Sequence, residues 1–268
     1  MSTPEIDANV LQRYWVPMPD QFEKAADRLV EAHAGRIERY EVCRNYLNDR
    51  VHGFRIGEGS RQVLFLGTVH GHEPAGTCGL LALLDGLLSG RVPGSDQPYE
   101  PARRLLEQFA IDCVPMGNPD AARRYGSQVP NSYLPDTFTF GPEDSQRYRT
   151  LHSEPGIAFQ RPRPPHFTPR EVMEWRQTGK PMGSLFTEEG VELWKDWAHG
   201  RSPQIVAMRE LLRLRRPELF VDVHQTELAN CIFVPSGLRS DADQARHARL
   251  AHAAYDDLER TGIIYADS

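Results

Sequence analysis

Val63-Leu64-Phe65-Leu66-Gly67-Thr68-Val69-His70-Gly71-His72-Glu73-Pro74-Ala75-Gly76 is the stretch from which the rest of the chain can be read. Its first four residues form a continuous apolar run, which predicts a buried strand. His70 and Glu73 follow, three residues apart, and an apolar, helix-like segment runs from Thr77 to Leu88. A strand that ends in His, turns through Gly and reaches Glu at a helix start aims an imidazole and a carboxylate at one point. Both are ligand types that Zn2+ accepts. Two ligands do not hold a catalytic zinc, so a third must come from elsewhere. Leu219-Phe220-Val221-Asp222-Val223-His224 is a second apolar strand that ends in His. In a mostly parallel sheet the strand C-termini share one edge, where ligands bind. His70, Glu73 and His224 are therefore the candidate metal ligands. Two histidines and one carboxylate leave a position open for water, as in catalytic rather than structural zinc sites. His72 has the wrong spacing to converge with Glu73 and is assigned to solvent or substrate.

Outward from this corner, the chain alternates helix and strand. Asp20–Ala34 has apolar residues at helical spacing, and Ile37–Leu47 is ambiguous between loop and edge strand. His52–Ile56 and Gln62–Val69 read as strands joined at the turn-like Gly57-Glu58-Gly59-Ser60. The helix from Pro74 to Leu88 stops at Ser89-Gly90. A short helix (Ala102–Gln108) and a strand (Phe109–Met116) come next, and this order predicts parallel pairing with helices on the sheet faces. Residues 118–201 are rich in Pro and weakly periodic, with helices expected at Glu171–Gln177 and Glu188–Ala198. The second of these carries Trp194 and Trp197, both assigned to the core. About 125–201 is read as an elaborated loop or lid within a single domain spanning 1–268. Regularity resumes with a helix at Ile205–Leu214, the strand to His224, a short strand at Cys231–Val234, a helix at Asp241–Arg260 and a strand beginning at Ile263. Gly67, Gly71 and Gly76 are expected to supply backbone freedom.

The 268 residues suffice for one large domain with a substantial core, and 40% hydrophobic with 25% charged residues is ordinary for a soluble globular chain. A net charge of −6 argues against nucleic acid or anionic membrane as the main partner. Cys43, Cys78, Cys113 and Cys231 are scattered with no C-x-x-C, which predicts reduced, buried thiols. Residues 1–10 lack a basic flank and an apolar core, and no run approaches transmembrane length. The expected location is the cytoplasm.

His70-Gly71-His72-Glu73, then Asn118-Pro119-Asp120, then Asp222-Val223-His224 resembles the zinc carboxypeptidase family, whose metal site is H-x-x-E followed far downstream by a strand-end His. Asn118-Pro119-x-Ala121 and Asp222-x-His224-x-Thr226 are also similar to the succinylglutamate desuccinylase and aspartoacylase branch of that superfamily. The resemblance spans about 56–235 and implies a three-layer α/β/α sandwich around a mixed, largely parallel twisted sheet. It implies a Zn2+ cofactor and a hydrolase, a metallocarboxypeptidase acting in proteolysis, that cleaves an amide bond next to a free carboxylate. Zinc would lower the pKa of bound water and polarise the carbonyl. Arg123 or Arg124 would grip the substrate carboxylate or an oxyanion, and Asp222 would orient a ligand imidazole.

Two departures keep alternatives open. The family places a general-base Glu on a late strand, and residues 225–268 offer only Glu227, Asp241, Asp243, Asp256, Asp257, Glu259 and Asp267, none in that context. The chain stops as a strand begins, so a C-terminal continuation is expected. The family's Asn-Arg pair after Asn-Pro is also missing. The substrate is therefore a small peptide or an N-acyl amino acid, and the alternatives are a deacylase or a zinc-binding pseudoenzyme. The oligomeric state is not legible.

Overall fold

The computed structural model describes residues 13–71, 73–128, 173, 177, 186–224 and 240–260. By contact density the chain divides into Ala8–Gln225 and a second unit, Thr226–Ser268 with Met1–Asp7. Within the second unit, the described element is one long helix, Asp241–Arg260, as expected from its periodicity.

The first unit is built on a mixed five-stranded sheet. Its strands are β1 (Ile37–Arg44), β2 (Arg50–Ile56), β3 (Arg61–Gly67), β4 (Phe109–Val114) and β5 (Leu219–Val223), in the spatial order β1-β2-β4-β3-β5. β1 pairs antiparallel with β2, and β2 with β4, while β3 runs parallel to both β4 and β5. β1 lies at the end of the sheet, so the ambiguous segment is an edge strand. β2 and β3 follow one another in sequence but are not neighbours, because β4 inserts between them. Turn residues after β2 mark where the chain changes direction; they carry no information about which strand it next pairs with.

Strand alternation sorts the side chains into two cores. Phe54 and Ile56 of β2 and Ile111 and Cys113 of β4 face helices α1 (Pro19–Ala32) and α2 (Pro74–Ser89) through Phe22, Ala26, Leu80, Leu81 and Leu84. Val51, Leu64, Leu66 and Val114 face Ile205, Met208 and Leu211. The period-2 pleat thus gives one apolar layer on each face, the physical content of a three-layer α/β/α sandwich. α2 ends where Gly90 turns left-handed at φ 67°. After it come α3 (Pro101–Gln108) and α4 (Pro119–Gln128).

The segment expected as a helix over Glu188–Ala198 is one only at α5 (Leu193–Asp196); before it, Phe186 and Glu192 form an antiparallel bridge. Trp194 is 55% exposed and is not core, while Trp197 packs edge-on against Phe220 with ring centroids 5.7 Å apart. α6 (Pro203–Arg215) begins at Ser202, whose hydroxyl accepts from Ile205 N at 3.2 Å. Of the helix expected at Glu171–Gln177 only residues 173 and 177 are described, both helical, and the strands expected at Cys231–Val234 and from Ile263, with most of the proposed lid, lie outside the described residues. Among the described residues no helix is long and apolar enough to cross a membrane. Cys43, Cys78 and Cys113 are free thiols, and burial pushes Cys43 up to about 12 and Cys78 up to about 11.

Leu64, fully buried in the interior strand β3, is the sharpest probe of this packing. Leu64→Ala is expected to cost about 2–5 kcal/mol in urea unfolding. A loss under about 1 kcal/mol would contradict its placement between two layers.

Candidate metal centre

The corner after β3 is held from two sides. Thr68 sits at φ 47°, a left-handed conformation that a β-branched residue resists at a cost on the order of 1–3 kcal/mol. Its hydroxyl donates to Glu73 O at 2.9 Å and accepts from Thr77 N at 3.1 Å, which ties the corner to the first turn of α2. Across the corner, Asn118 N donates to Thr68 O at 3.0 Å and Asn118 Nδ2 to Val69 O at 3.0 Å. Asn118 Oδ1 accepts from Ala121 N at 3.1 Å and so caps α4. One buried amide side chain therefore fastens the α4 start to the peptide next to His70.

Glycine serves close approach here. A Cβ on Gly76 would lie 2.8 Å from Thr68 N and 2.9 Å from Val223 O, and one on Gly71 would lie 2.1 Å from the Ala121 carbonyl carbon. Neither has a positive φ, so the expected role in backbone freedom is replaced by a steric one. Gly76 lets the α2 start rest on the ends of β3 and β5 together.

Register then brings the second histidine alongside. Leu66 pairs with Asp222 and Gly67 with Val223, so His224 leaves β5 beside the turn that carries His70. His70 Nδ1 lies 2.9 Å from Glu73 Oε1, and His224 Nδ1 lies 2.8 Å from Glu73 Oε2. The two rings are tilted at 59° with centroids 5.0 Å apart. One ligand atom from each of the three residues lies within 4.8 Å of the others. Glu73 is 5% exposed. It is the residue just before α2, where the helix dipole favours a carboxylate. Two imidazole nitrogens converging on one buried carboxylate form a nitrogen- and oxygen-rich donor set suited to a divalent cation such as zinc.

Asp222, named beforehand as the orienting group, has Oδ2 3.2 Å from His224 Nε2. His224 thus lies between two carboxylates. Burial disfavours its charged form, but hydrogen bonding and charge from Asp222 and Glu73 outweigh burial and push its pKa up to about 10. Without a metal, a proton on His224 supplies the positive charge that this group of acids demands.

Arg123 has a partner within the chain. Both of its terminal nitrogens donate to Asp49, each at 2.7 Å, so its fork already grips a carboxylate of the protein itself. Arg124 lies on α4, but its side chain is outside the described residues, as is His72. The contacts that sequence reasoning missed are Asn118 to Val69 and Thr68 to Glu73. The Asn-Pro signal pointed to a motif without revealing its job, and nothing local marks Thr68 as left-handed.

His224 gains partners on folding, so its raised pKa makes it stabilising below the unfolded value of about 6.5, with that contribution lost as pH rises through about 10. For metal-free protein, the stability difference between wild type and His224→Gln is expected to be largest near pH 6 and to vanish by about pH 10 in urea titrations. A difference independent of pH would contradict the placement of His224 between Asp222 and Glu73.

No protein-family model matches this sequence, and no curated protein matches it. Solved structures do. Thrombin activatable fibrinolysis inhibitor aligns at TM-score 0.55 and 12% identity, over 91% of this chain and 55% of that one. The bovine form, in complex with tick carboxypeptidase inhibitor, aligns at TM-score 0.51 and 14% identity, over 92% of this chain and 74% of that one. A metallo-carboxypeptidase from Burkholderia cenocepacia aligns at TM-score 0.47 and 15% identity, over 76% of this chain and 41% of its own length. The chain therefore spans about two fifths of the bacterial protein. At such identities the likeness is one of fold, and the α/β/α architecture described above is carboxypeptidase-like.

Proposed function

We propose that this chain carries the metal centre of a zinc-dependent hydrolase that cleaves an amide bond adjacent to a free carboxylate. The observation that supports it most is the convergence of His70 Nδ1 and His224 Nδ1 on the two oxygens of Glu73, at the C-terminal edge of two parallel strands. His70, Glu73 and His224 would hold the ion, and three protein ligands are the number that catalytic zinc sites use. When bound there, zinc lowers the pKa of water and polarises a carbonyl. The chain's own residues supply the setting: Asp222 holds the His224 ring in orientation through Nε2, and the Asn118 and Thr68 bonds keep His70 and Glu73 in register. Arg123, engaged by Asp49, is not assigned to the substrate, and no residue is assigned as general base.

Peptides with a free C-terminus are the proposed substrates. A deacylase of N-acyl amino acids is the second reading, favoured by Ala121 in Asn118-Pro119-x-Ala121 and by Thr226 after His224.

Purified protein is expected to carry one zinc per chain, and Glu73→Ala or His224→Ala to remove it. Stoichiometric zinc that survives both changes would defeat the site. Assays of C-terminal peptides against N-acetyl and N-succinyl amino acids separate the two substrate readings. Zinc without turnover of either class would leave a binding protein rather than an enzyme.

A further inference from the structure

The loop between β1 and β2 reaches across to α4 through a chain of buried and half-buried polar groups that the proposed chemistry does not use. Asn45 is 6% exposed and Asp120 is 1% exposed. Asn45 Nδ2 donates to Asp49 Oδ2 at 3.0 Å and also bonds Asp120 Oδ1, while Asp49 N donates to Asn45 Oδ1 at 2.6 Å. Asp49 in turn takes the bidentate fork of Arg123, one turn further along α4. Burial works to raise the Asp49 pKa, yet the bonds from Arg123 and Asn45 outweigh it and hold the carboxyl below its usual range. The second Asp120 oxygen accepts from Glu188 N at 3.2 Å, which joins the 186–192 turn to the same point.

What α4 does with this anchoring is visible on its other side. Its cap, Asn118, donates to Val69 O, and its Ala121 backbone lies against Gly71 with no room for a methyl group. These residues flank His70. A rigid helix start pressed on both neighbours of a ligand sets where that ligand's ring can go. We infer that Asp49 and Arg123 act together as positioning residues for the metal corner, clamping α4 against the His70 turn from the β1–β2 loop. Neither touches the ion. Their effect passes through Asn45 and Asp120 to the α4 backbone, and through Asn118 and Ala121 to Val69 and Gly71. This rests on the zinc reading given above. It also explains why an arginine next to the Asn-Pro motif faces an aspartate of its own chain.

The test is a double-mutant cycle read as zinc affinity, measured by competition with a chromophoric chelator on the full chain. Asp49→Ala and Arg123→Ala are each expected to weaken zinc binding about tenfold, the lower end of the range seen when groups supporting a ligand are removed. The double variant should lose clearly less than the two single losses added together, because both variants break the same Asp49–Arg123 pair. Arg123→Lys keeps the charge and loses the fork, and is expected to fall between. Asp85→Ala is the control: it removes both oxygens that meet Tyr14 and His33, at a buried carboxylate twelve residues beyond Glu73 on α2, and should lower the melting temperature without changing zinc affinity. Single variants within twofold of wild type would overturn the inference. So would additive losses in the double variant, or an equal loss in Asp85→Ala. If either alanine variant fails to fold, Arg123→Lys alone decides by the same twofold limit. Failure of the wild type to bind zinc would instead defeat the metal reading itself, a separate result.

Discussion

Two adjacent residue pairs between parallel strands, Leu66 with Asp222 and Gly67 with Val223, set the geometry on which the candidate centre depends. Side chains alternate along a strand, so a slip of one residue would send His224 to the opposite face and separate it from Glu73. The pairing is made secure by burial. Leu64 and Leu66 of β3 and Phe220 of β5 lie in one apolar layer with Ile205 and Met208, while Val223 of β5 packs in the layer on the other face, and a slip would force each into the wrong layer. The same packing that stabilises the sheet therefore specifies the site. Residues 151 positions apart come to hydrogen-bonding distance because a core is satisfied in a single register.

Around that register the backbone is drawn in tightly. Gly76 allows the α2 start to touch both strand ends, and Thr68 accepts an unfavourable conformation that its own hydroxyl bonds help to offset. The result is a buried Glu73 carboxylate with an imidazole at each oxygen and a further acid behind one of them. Such a group is electrostatically incomplete without a positive charge. A proton on His224 meets the demand in the free protein, and on the proposed reading a divalent ion would meet it in its place. Metal binding there would then release that proton.

Much of this could be read from residue order. His70, Glu73 and His224 stood out because each follows an apolar run or opens a helix, and element ends are where a sheet collects functional groups. The layered fold followed from the alternation of strand and helix. Other features depend on tertiary pairing and leave no local trace. The insertion of β4 between β2 and β3 is one. The partner of Arg123 is another: Asp49 lies 74 positions away. Trp194 looked like core by residue type, yet it lies outward on a single turn of helix too short to impose an apolar face. The glycines were recognised, but their reason was contact rather than torsion, and contact is not visible along one chain.

X-ray absorption at the zinc edge of the loaded protein tests the central claim most directly. The account predicts two imidazole nitrogens at about 2.0–2.1 Å with carboxylate and water oxygens completing a coordination number of four or five. A shell of oxygens alone, without the scattering pattern of imidazole rings, would show that His70 and His224 do not meet around one ion, and would contradict it.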